Sequence, residues 1–136
     1  MYNKIRVKIL AVDYGTRTVG LAAADTAVPV PLPRAALTVR NDRDALDQVL
    51  RLLREEPCGL VLVGVPAVKD PERSWIVKKA RAFADRLREA SGIPVETVDE
   101  TLTSREAAAR LRPGAPDGAV DAGAAALILE VWLARC

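Results

Sequence analysis

The stretch that decides the fold is ILAVDYGTRTVGLAAA, residues 9–24. Residues 9–13 and 18–24 are mostly apolar, and the four residues between them, from Tyr14 to Arg17, have the composition of a tight turn. The stretch therefore predicts a β-hairpin that carries one carboxylate, Asp13, where its first strand ends.

After the hairpin, the apolar pattern changes from strand to helix. A third strand is predicted at residues 34–39, after a proline-rich approach at residues 29–33 that cannot be helical. Apolar residues between positions 46 and 53 recur at helical spacing, and Pro57 ends that helix. Residues 59–65 are apolar without alternation, which is typical of a strand buried on both faces.

The second half of the chain alternates helix and strand. An amphipathic helix is predicted at residues 72–90, with Gly92 as its terminator, and a fifth strand at residues 93–98. A capping-box pattern predicts a short helix at residues 103–111. The last helix, residues 119–134, is apolar almost all round, so we expect it to be buried against the sheet.

Length and composition narrow the possible functions. The chain has 136 residues, which suits one α/β domain over residues 1–136 in the order βββαβαβαα. It has no histidine, which excludes histidine-dependent triads and the usual histidine-bearing zinc sites. The net charge of +2 and the isoelectric point near 8.7 show only a weak excess of basic residues, and this excess does not by itself indicate a nucleic-acid-binding protein. Any catalysis would fall to carboxylates, lysines, hydroxyls or a bound metal.

The cysteines and the amino terminus predict a cytoplasmic protein. Cys58 and Cys136 cannot form a disulfide framework. Basic residues at positions 4, 6 and 8 interrupt the first apolar segment, so no signal-peptide core is expected there. The uncharged stretch at residues 57–68 is broken by Gly and Pro, so no membrane span is expected.

Three carboxylates fall at positions where they could meet. Asp13 ends the first predicted strand, and Glu100 follows the fifth. Asp121 lies on the apolar stripe of the last helix with Ala125 and Ile128, so its burial would require a partner or a cation. Strand ends crowd together in an α/β sheet, which favours convergence of the three.

Each acid also has a simpler interpretation. Asp13 could shape the turn, with Gly15 supplying a positive φ. Glu100 could be a solvated loop acid or stabilise the start of the next helix, and Asp99 competes with it for any ligand role. Asp121 could pair with an arginine.

Converging carboxylates repel one another unless a cation lies between them. Mg²⁺ and Mn²⁺ favour such oxygen ligands and leave positions for water and substrate phosphate. Two such ions can support phosphodiester cleavage without any histidine. A metal site built from these three acids is therefore compatible with a chain that has no histidine.

The chain resembles the YqgF (RuvX) proteins of bacteria, which belong to the ribonuclease-H-like superfamily with the RuvC resolvases. Each matching piece is short, but their order and spacing together are specific, and they cover nearly the whole chain. The pieces are VDYGTRTVG at residues 12–20, VGVP at 63–66, IPV at 93–95, VDETLTS at 98–104 and VDAGAA at 120–125.

The resemblance implies a fold and an activity. The fold is α/β and ribonuclease-H-like, a five-stranded mixed sheet of order 3-2-1-4-5 flanked by helices. The activity is that of a nuclease that uses Asp13, Glu100 and Asp121 as catalytic residues and as ligands of Mg²⁺ or Mn²⁺, with two ions expected. The implied substrates are the 5′ end of the 16S ribosomal RNA precursor or branched DNA such as a Holliday junction.

Several positions depart from the family pattern. Residues 67–71 read AVKDP where a stretch like LNMDG is usual, Thr18 replaces one residue of a basic pair, and Thr101 stands where arginine is usual. The loop at residues 112–118 carries little charge, although this loop is commonly lysine-rich. The acids are retained, whereas several cationic substrate contacts are not.

The substrate-binding candidates are basic residues near predicted strand or helix ends, where an arginine fork or a lysine could meet phosphate. Ordinary solvated surface is the competing interpretation for each. Trp75 could stack on a base or pack on a neighbouring element, and Trp132 could be core or an oligomer contact. The basic candidates are Arg17, Lys69, Arg105, Arg110 and Arg112.

Three functional hypotheses follow. The first is a metal-dependent nuclease acting on nucleic acid, which would require a homodimer if its substrate is a two-fold junction. The second is a nucleic-acid-binding or ribosome-associated module that has lost catalysis. The third takes residues 13–16 as the phosphate loop of an actin-like or sugar-kinase ATPase, and the chain length argues against it because those proteins close two domains over the nucleotide.

Overall fold

The computed structural model describes residues 7–66, 70–99 and 119–134, except for the side chains of residues 29 and 119–122. A 3-10 turn at Pro71–Arg73 precedes the second helix. The strands are β1 Lys8–Asp13, β2 Thr18–Asp25, β3 Val28–Thr38, β4 Leu60–Val65 and β5 Val95–Asp99, and the helices are α1 Asp42–Glu55, α2 Ser74–Ser91 and α3 Ala119–Ala134.

The five strands form one mixed sheet in the order β3-β2-β1-β4-β5, which confirms the expected topology. The predicted hairpin is present, because β1 pairs antiparallel with β2, and β2 pairs antiparallel with β3. On the other side, β1 pairs parallel with β4, and β4 pairs parallel with β5. The carboxyl ends of β1, β4 and β5 therefore meet at the same edge of the sheet.

Helices cover both faces of β1, the central strand. Leu10 and Val12 point into the core shared with α1 and α2. Ile9 and Ala11 alternate to the other face, where they pack with residues of α3 such as Ile128. The burial expected for the last helix is confirmed in its middle, where Ala124, Ala125, Leu127, Ile128 and Leu129 are buried, whereas residues 130–133 are partly exposed and Ala134 is exposed.

The third strand corrects the sequence interpretation. It was expected at residues 34–39, but β3 begins at Val28 and runs through three prolines before it ends at Thr38. Proline cannot donate a ladder hydrogen bond, yet it is tolerated on an edge strand where its nitrogen faces away from the neighbour. β3 is the edge of this sheet, where Val28, Leu32 and Pro33 pair with β2 while residues 29–31 lie in an irregular stretch between those pairs.

Helix boundaries follow local capping. The amphipathic helix predicted from residue 72 begins at Ser74. Residues 71–73 form a 3-10 turn instead, which Asp70 caps by accepting a hydrogen bond of 3.0 Å from the Glu72 backbone N–H. Gly92 ends α2 in the left-handed conformation with φ of 70°, as expected. The short helix predicted at residues 103–111 lies outside the described residues.

Gly15 does not have the positive φ that the turn interpretation assigned to it, since Gly92 is the one glycine with positive φ in the described part of the chain. The requirement for glycine is instead steric. A Cβ at position 15 would collide with the carbonyl oxygen of Thr18. The turn between β1 and β2 is therefore held by close backbone approach.

Among the described residues, no helix combines the length and apolarity that a membrane span needs.

Tyr14 anchors the start of this turn to the helices. Its side chain is buried, and its hydroxyl donates a hydrogen bond of 2.6 Å to Asp42 Oδ1 at the first turn of α1. Its ring lies 5.5 Å from the ring of Phe83 in α2. Asp42 Oδ2 also lies 3.5 Å from Lys79 Nζ, so one carboxylate joins the turn, α1 and α2.

Substitution of Tyr14 by Phe tests this anchor. The variant keeps the ring contact but removes a hydrogen bond to a partly buried carboxylate, so the free energy of unfolding should fall by about 1 kcal/mol at neutral pH. Chemical denaturation of both proteins measures the difference. An unchanged free energy of unfolding would show that Lys79 alone satisfies Asp42.

The same bond predicts a dependence on alkaline pH. Burial, followed by the hydrogen bond and charge of Asp42, raises the pKa of Tyr14 well above its usual 10.0. As the pH rises past about 10, the unfolded chain ionises first, so the stabilisation is complete below that pH and decreases above it. The stability difference between wild type and Tyr14→Phe should therefore shrink between about pH 10 and pH 11, as measured by denaturation at each pH.

Candidate active site

Asp13 is the last residue of β1, at the edge where the parallel strands end. It continues the alternation of Ile9 and Ala11, so it lies on the face that α3 covers. Its side chain is half-buried at the carboxyl end of the strand. Because β1 is paired with β2 on one side and with β4 on the other, its backbone holds this carboxylate at the sheet edge.

The two cross-strand neighbours of Asp13 are both glycines. In the sheet register Asp13 pairs with Gly20 of β2 and with Gly64 of β4. Ala22 and Leu62, two residues away on each strand, belong to the α3-side core, so both glycines lie on the face of Asp13. No side chain therefore flanks the carboxylate from either adjacent strand. The sequence motifs contained both glycines, but only the register shows that they border the same acid.

Asp99 lies on the opposite face from Asp13. It pairs with Val65 at the same sheet edge. On β5, Val95 packs into the core with α1 and α2, whereas Val98 packs into the core with α3. Asp99 follows the alternation of Val95 and so projects away from the face of Asp13. The structure thus argues against Asp99 as a partner of Asp13, which the sequence left open.

The other expected ligands are only partly covered by the structure. Glu100 lies outside the described residues. Residue 121 belongs to α3, but its side chain is not described, although Ala125 and Ile128 of the same stripe pack on the face of Asp13. Among the described side chains, no three acids or cysteines come together as a metal site. The three-carboxylate cluster therefore stays a prediction.

Of the basic candidates, Arg17 is described and is exposed on the turn after β1. Lys69, Arg105, Arg110 and Arg112 lie outside the described residues. Arg17 is fixed through its backbone, because its carbonyl oxygen accepts a hydrogen bond of 2.8 Å from the Val39 N–H.

Arg17 lines a polar groove of about 540 Å³, which we call the hairpin groove. It contains two cations that the sequence did not single out, Arg40 from the loop before α1 and Lys79 from α2, since each looked like ordinary solvated surface. Among the residues that the structure describes, its lining is Thr16, Arg17, Val39, Arg40, Asn41, Asp42 and Lys79.

The backbone beside the groove is fixed by Asp44. Its Oδ2 accepts a hydrogen bond of 2.9 Å from the Arg40 N–H, and Asn41 caps α1 by accepting one of 2.8 Å from the Asp44 N–H. The hydrogen bond from the Arg40 backbone is the main cause that lowers the pKa of Asp44. Arg40 therefore has a fixed backbone, while its side chain is 86% exposed.

The two tryptophans differ in environment. Trp75 is 49% exposed on α2, with Lys79 Nζ 5.9 Å from its ring centroid, so it is only partly packed against the protein. Trp132 packs against the α3-side core and donates a hydrogen bond of 3.1 Å to Glu96 Oε2. Trp132 is therefore partly buried against the α3-side core, and its role as an oligomer contact stays a prediction, while about half of the Trp75 side chain is exposed.

The sheet order and the helices on its two faces define a ribonuclease-H-like fold. Among solved structures, RuvC of Thermus thermophilus in complex with a Holliday junction substrate is similar at a TM-score of 0.63, with 17% identity over 95% of each chain. A second RuvC structure from Thermus thermophilus has a TM-score of 0.61 and covers 94% of this chain and 95% of its own. At this identity the likeness shows the fold alone.

The family follows from sequence comparison. A family model named RuvX, described as Holliday junction resolvase, matches residues 7–135, and the chain belongs to this family. A relative from Anaeromyxobacter sp. (strain Fw109-5) is 37% identical, covering 93% of this chain and 96% of its own length. One from Alcanivorax borkumensis is 39% identical, with coverage of 93% and 95%. Both relatives carry the name "Putative pre-16S rRNA nuclease".

Proposed function

We propose that this protein is a divalent-metal-dependent nuclease that hydrolyses phosphodiester bonds in the 5′-end maturation of the 16S ribosomal RNA precursor. The observation that carries the proposal is the position of Asp13 at the parallel strand ends, between Gly20 and Gly64. The names of the family and of its relatives support the reaction class. Since ribosomal RNA precursors are processed beside the ribosome, we place the protein in the cytoplasm.

Asp13, Glu100 and Asp121 would hold Mg²⁺ or Mn²⁺, with two ions expected. Asp13 fits a hard-metal ligand because it is a half-buried carboxylate at an open sheet edge. Glu100 is preferred to Asp99 because Asp99 projects to the other face of the sheet. Asp121 is proposed as the third ligand because Ala125 and Ile128, which share its stripe on α3, pack on the face of the sheet where Asp13 lies.

The roles of the chain's own residues follow from their positions. The bound ions would supply activation of a water and stabilisation of the leaving oxygen. Asp13 offers a fixed negative charge that β1 cannot move, because β1 is paired on both sides. Gly20 and Gly64 place no side chain directly opposite this carboxylate, which would limit steric conflict with a bound phosphate. Arg17, exposed on the adjacent turn, can bind a neighbouring phosphate.

Branched DNA is the second candidate substrate. The RuvX family is described as Holliday junction resolvase, and a structural neighbour, RuvC, is bound to such a junction. A junction has two-fold symmetry, so its paired cleavage would require a homodimer of this chain. Ribosomal RNA precursor is preferred because the relatives that match nearly the whole chain are named for it.

The Asp13→Asn substitution tests the proposal, because it removes the charge but keeps the size of the side chain. With Mn²⁺ or Mg²⁺, wild type should cut a labelled ribosomal RNA precursor, and the variant should be slower by at least about a hundredfold. A four-way DNA junction assayed in parallel distinguishes the two substrates. Cleavage that persists in Asp13→Asn or in a metal chelator would refute the proposed site. Binding without any cleavage by wild type would indicate a catalytically inactive nucleic-acid-binding module.

Two neighbouring acids provide a matched comparison. Glu100→Gln should reduce cleavage about as much as Asp13→Asn, whereas Asp99→Asn should cut at nearly the wild-type rate because its side chain lies on the other face. Single-turnover rates of the two variants at saturating metal give the comparison. The reverse order of effects would assign the ligand role to Asp99.

Gly64→Ala tests whether the space beside Asp13 matters. An added Cβ on the face of Asp13 should interfere with the approach of phosphate and lower the cleavage rate about tenfold or more. Gly20→Ala should have a similar effect from the opposite flank. Thermal unfolding of both variants serves as the control, and a full cleavage rate in folded variants would show that the flanking space is not used.

A further inference from the structure

We propose that the hairpin groove binds the sugar-phosphate backbone of the nucleic acid beyond the cleavage point, and that Trp75 stacks on a base next to it. This inference rests on the proposed function, because it supposes that Asp13 marks the cleavage point. Arg40, Lys79 and Trp75 are thereby added to the substrate-binding residues. The nucleic-acid strand would pass from Asp13 over the edge of the sheet to the face covered by α1 and α2.

The groove lies close to the candidate active site along the chain. Thr16, which begins the groove, follows Asp13 by three residues. Their Cα atoms can be at most about 11 Å apart, because an extended chain spans no more than about 3.6 Å per residue. A nucleic-acid strand in a duplex advances about 3.4 Å per nucleotide. A strand at Asp13 would therefore reach the groove within about three nucleotides.

The charge of the groove suits a polyanion. Three cationic side chains line it, Arg17, Arg40 and Lys79, against the single acid Asp42. That acid accepts the Tyr14 hydrogen bond and faces Lys79, so its charge is partly offset within the protein. The cations come from three separate elements and surround one concave space, although the whole chain is only weakly basic.

The acidic partners of these cations do not prevent phosphate binding. Arg40 Nε lies 3.5 Å from Asp44 Oδ2 while the Arg40 side chain is 86% exposed, and such a pair is weak in water. The Lys79 side chain is 44% exposed, and its ammonium is 3.5 Å from Asp42. Both cations can therefore contact a phosphate without the cost of opening a buried ion pair.

Trp75 gives the groove an aromatic neighbour. It lies one helical turn before Lys79 on α2, and its ring is half exposed next to the Lys79 ammonium. An exposed aromatic ring beside a cationic track is the arrangement that binds single-stranded nucleic acid, because the ring stacks on a base while the cations bind phosphates. The favoured substrate region is therefore an unpaired strand.

The test measures how salt changes the affinity for a single-stranded fragment of ribosomal RNA precursor, with no metal and in an Asp13→Asn background. Arg40→Gln and Lys79→Gln should each weaken binding and make the log–log salt slope shallower by about one. Arg43→Gln is the matched control, because Arg43 is 85% exposed and has an i,i+4 acid at 3.9 Å but lies outside the groove. Lys78→Gln is the control for the neighbouring position on α2.

Three further variants separate charge and stacking from folding. Lys79→Arg should keep the salt slope, whereas a loss of fold would affect Lys79→Arg and Lys79→Gln alike. Trp75→Ala should weaken single-strand binding by about fivefold or more, and Trp75→Phe should retain most of the affinity.

The outcomes distinguish this inference from the proposed function. Salt slopes that are equal for the groove variants and for Arg43→Gln would refute the groove, even if wild type cuts RNA in the presence of metal. Reduced slopes in the groove variants would support it, even if wild type proved catalytically inactive.

Discussion

The structure depends on the position of β1, the central strand, which has a partner on each side and a helical layer over each face. Such a strand cannot shift its register without moving apolar side chains into the wrong core, so its last residue is placed with little freedom. That residue is Asp13. A carboxylate is costly to hold near an apolar interior, and here it lies half-buried at a strand end, with a glycine opposite it on each neighbouring strand. The central strand thus fixes a carboxylate at the edge of the sheet.

Much of this arrangement could be predicted from the sequence, and the failures have specific causes. The β1–β2 hairpin and the burial of α3 followed from local apolar patterns. The start of β3 did not, because the tolerance of prolines depends on the strand being at the sheet edge, which is a property of the whole sheet. Likewise, Asp99 and Glu100 could not be separated before the alternation of β5 was tied to two different cores. The predicted meeting of Asp13 with Glu100 and Asp121 lies largely beyond the described side chains.

The hairpin groove could not be predicted from the sequence, for a different reason. Arg40 and Lys79 are far apart along the chain, and no sequence motif joins them. Tyr14, the residue after Asp13, donates a hydrogen bond to Asp42, which lines the same groove and lies 3.5 Å from Lys79 Nζ. The same few residues therefore connect the candidate active site on one face of the sheet to a cationic surface on the other.

The prolines of β3 have a consequence for the behaviour of the protein at high concentration. Exposed apolar side chains at Val28, Val30 and Leu32 on an edge strand would normally invite another molecule to add a strand and begin aggregation. Pro29, Pro31 and Pro33 have no backbone N–H, so this segment lacks donors that an added strand would otherwise use. Another protein can contact this edge through side chains, but continuous strand addition across the prolines is disfavoured. The apolar surface can thus stay exposed without serving as a template for fibrils.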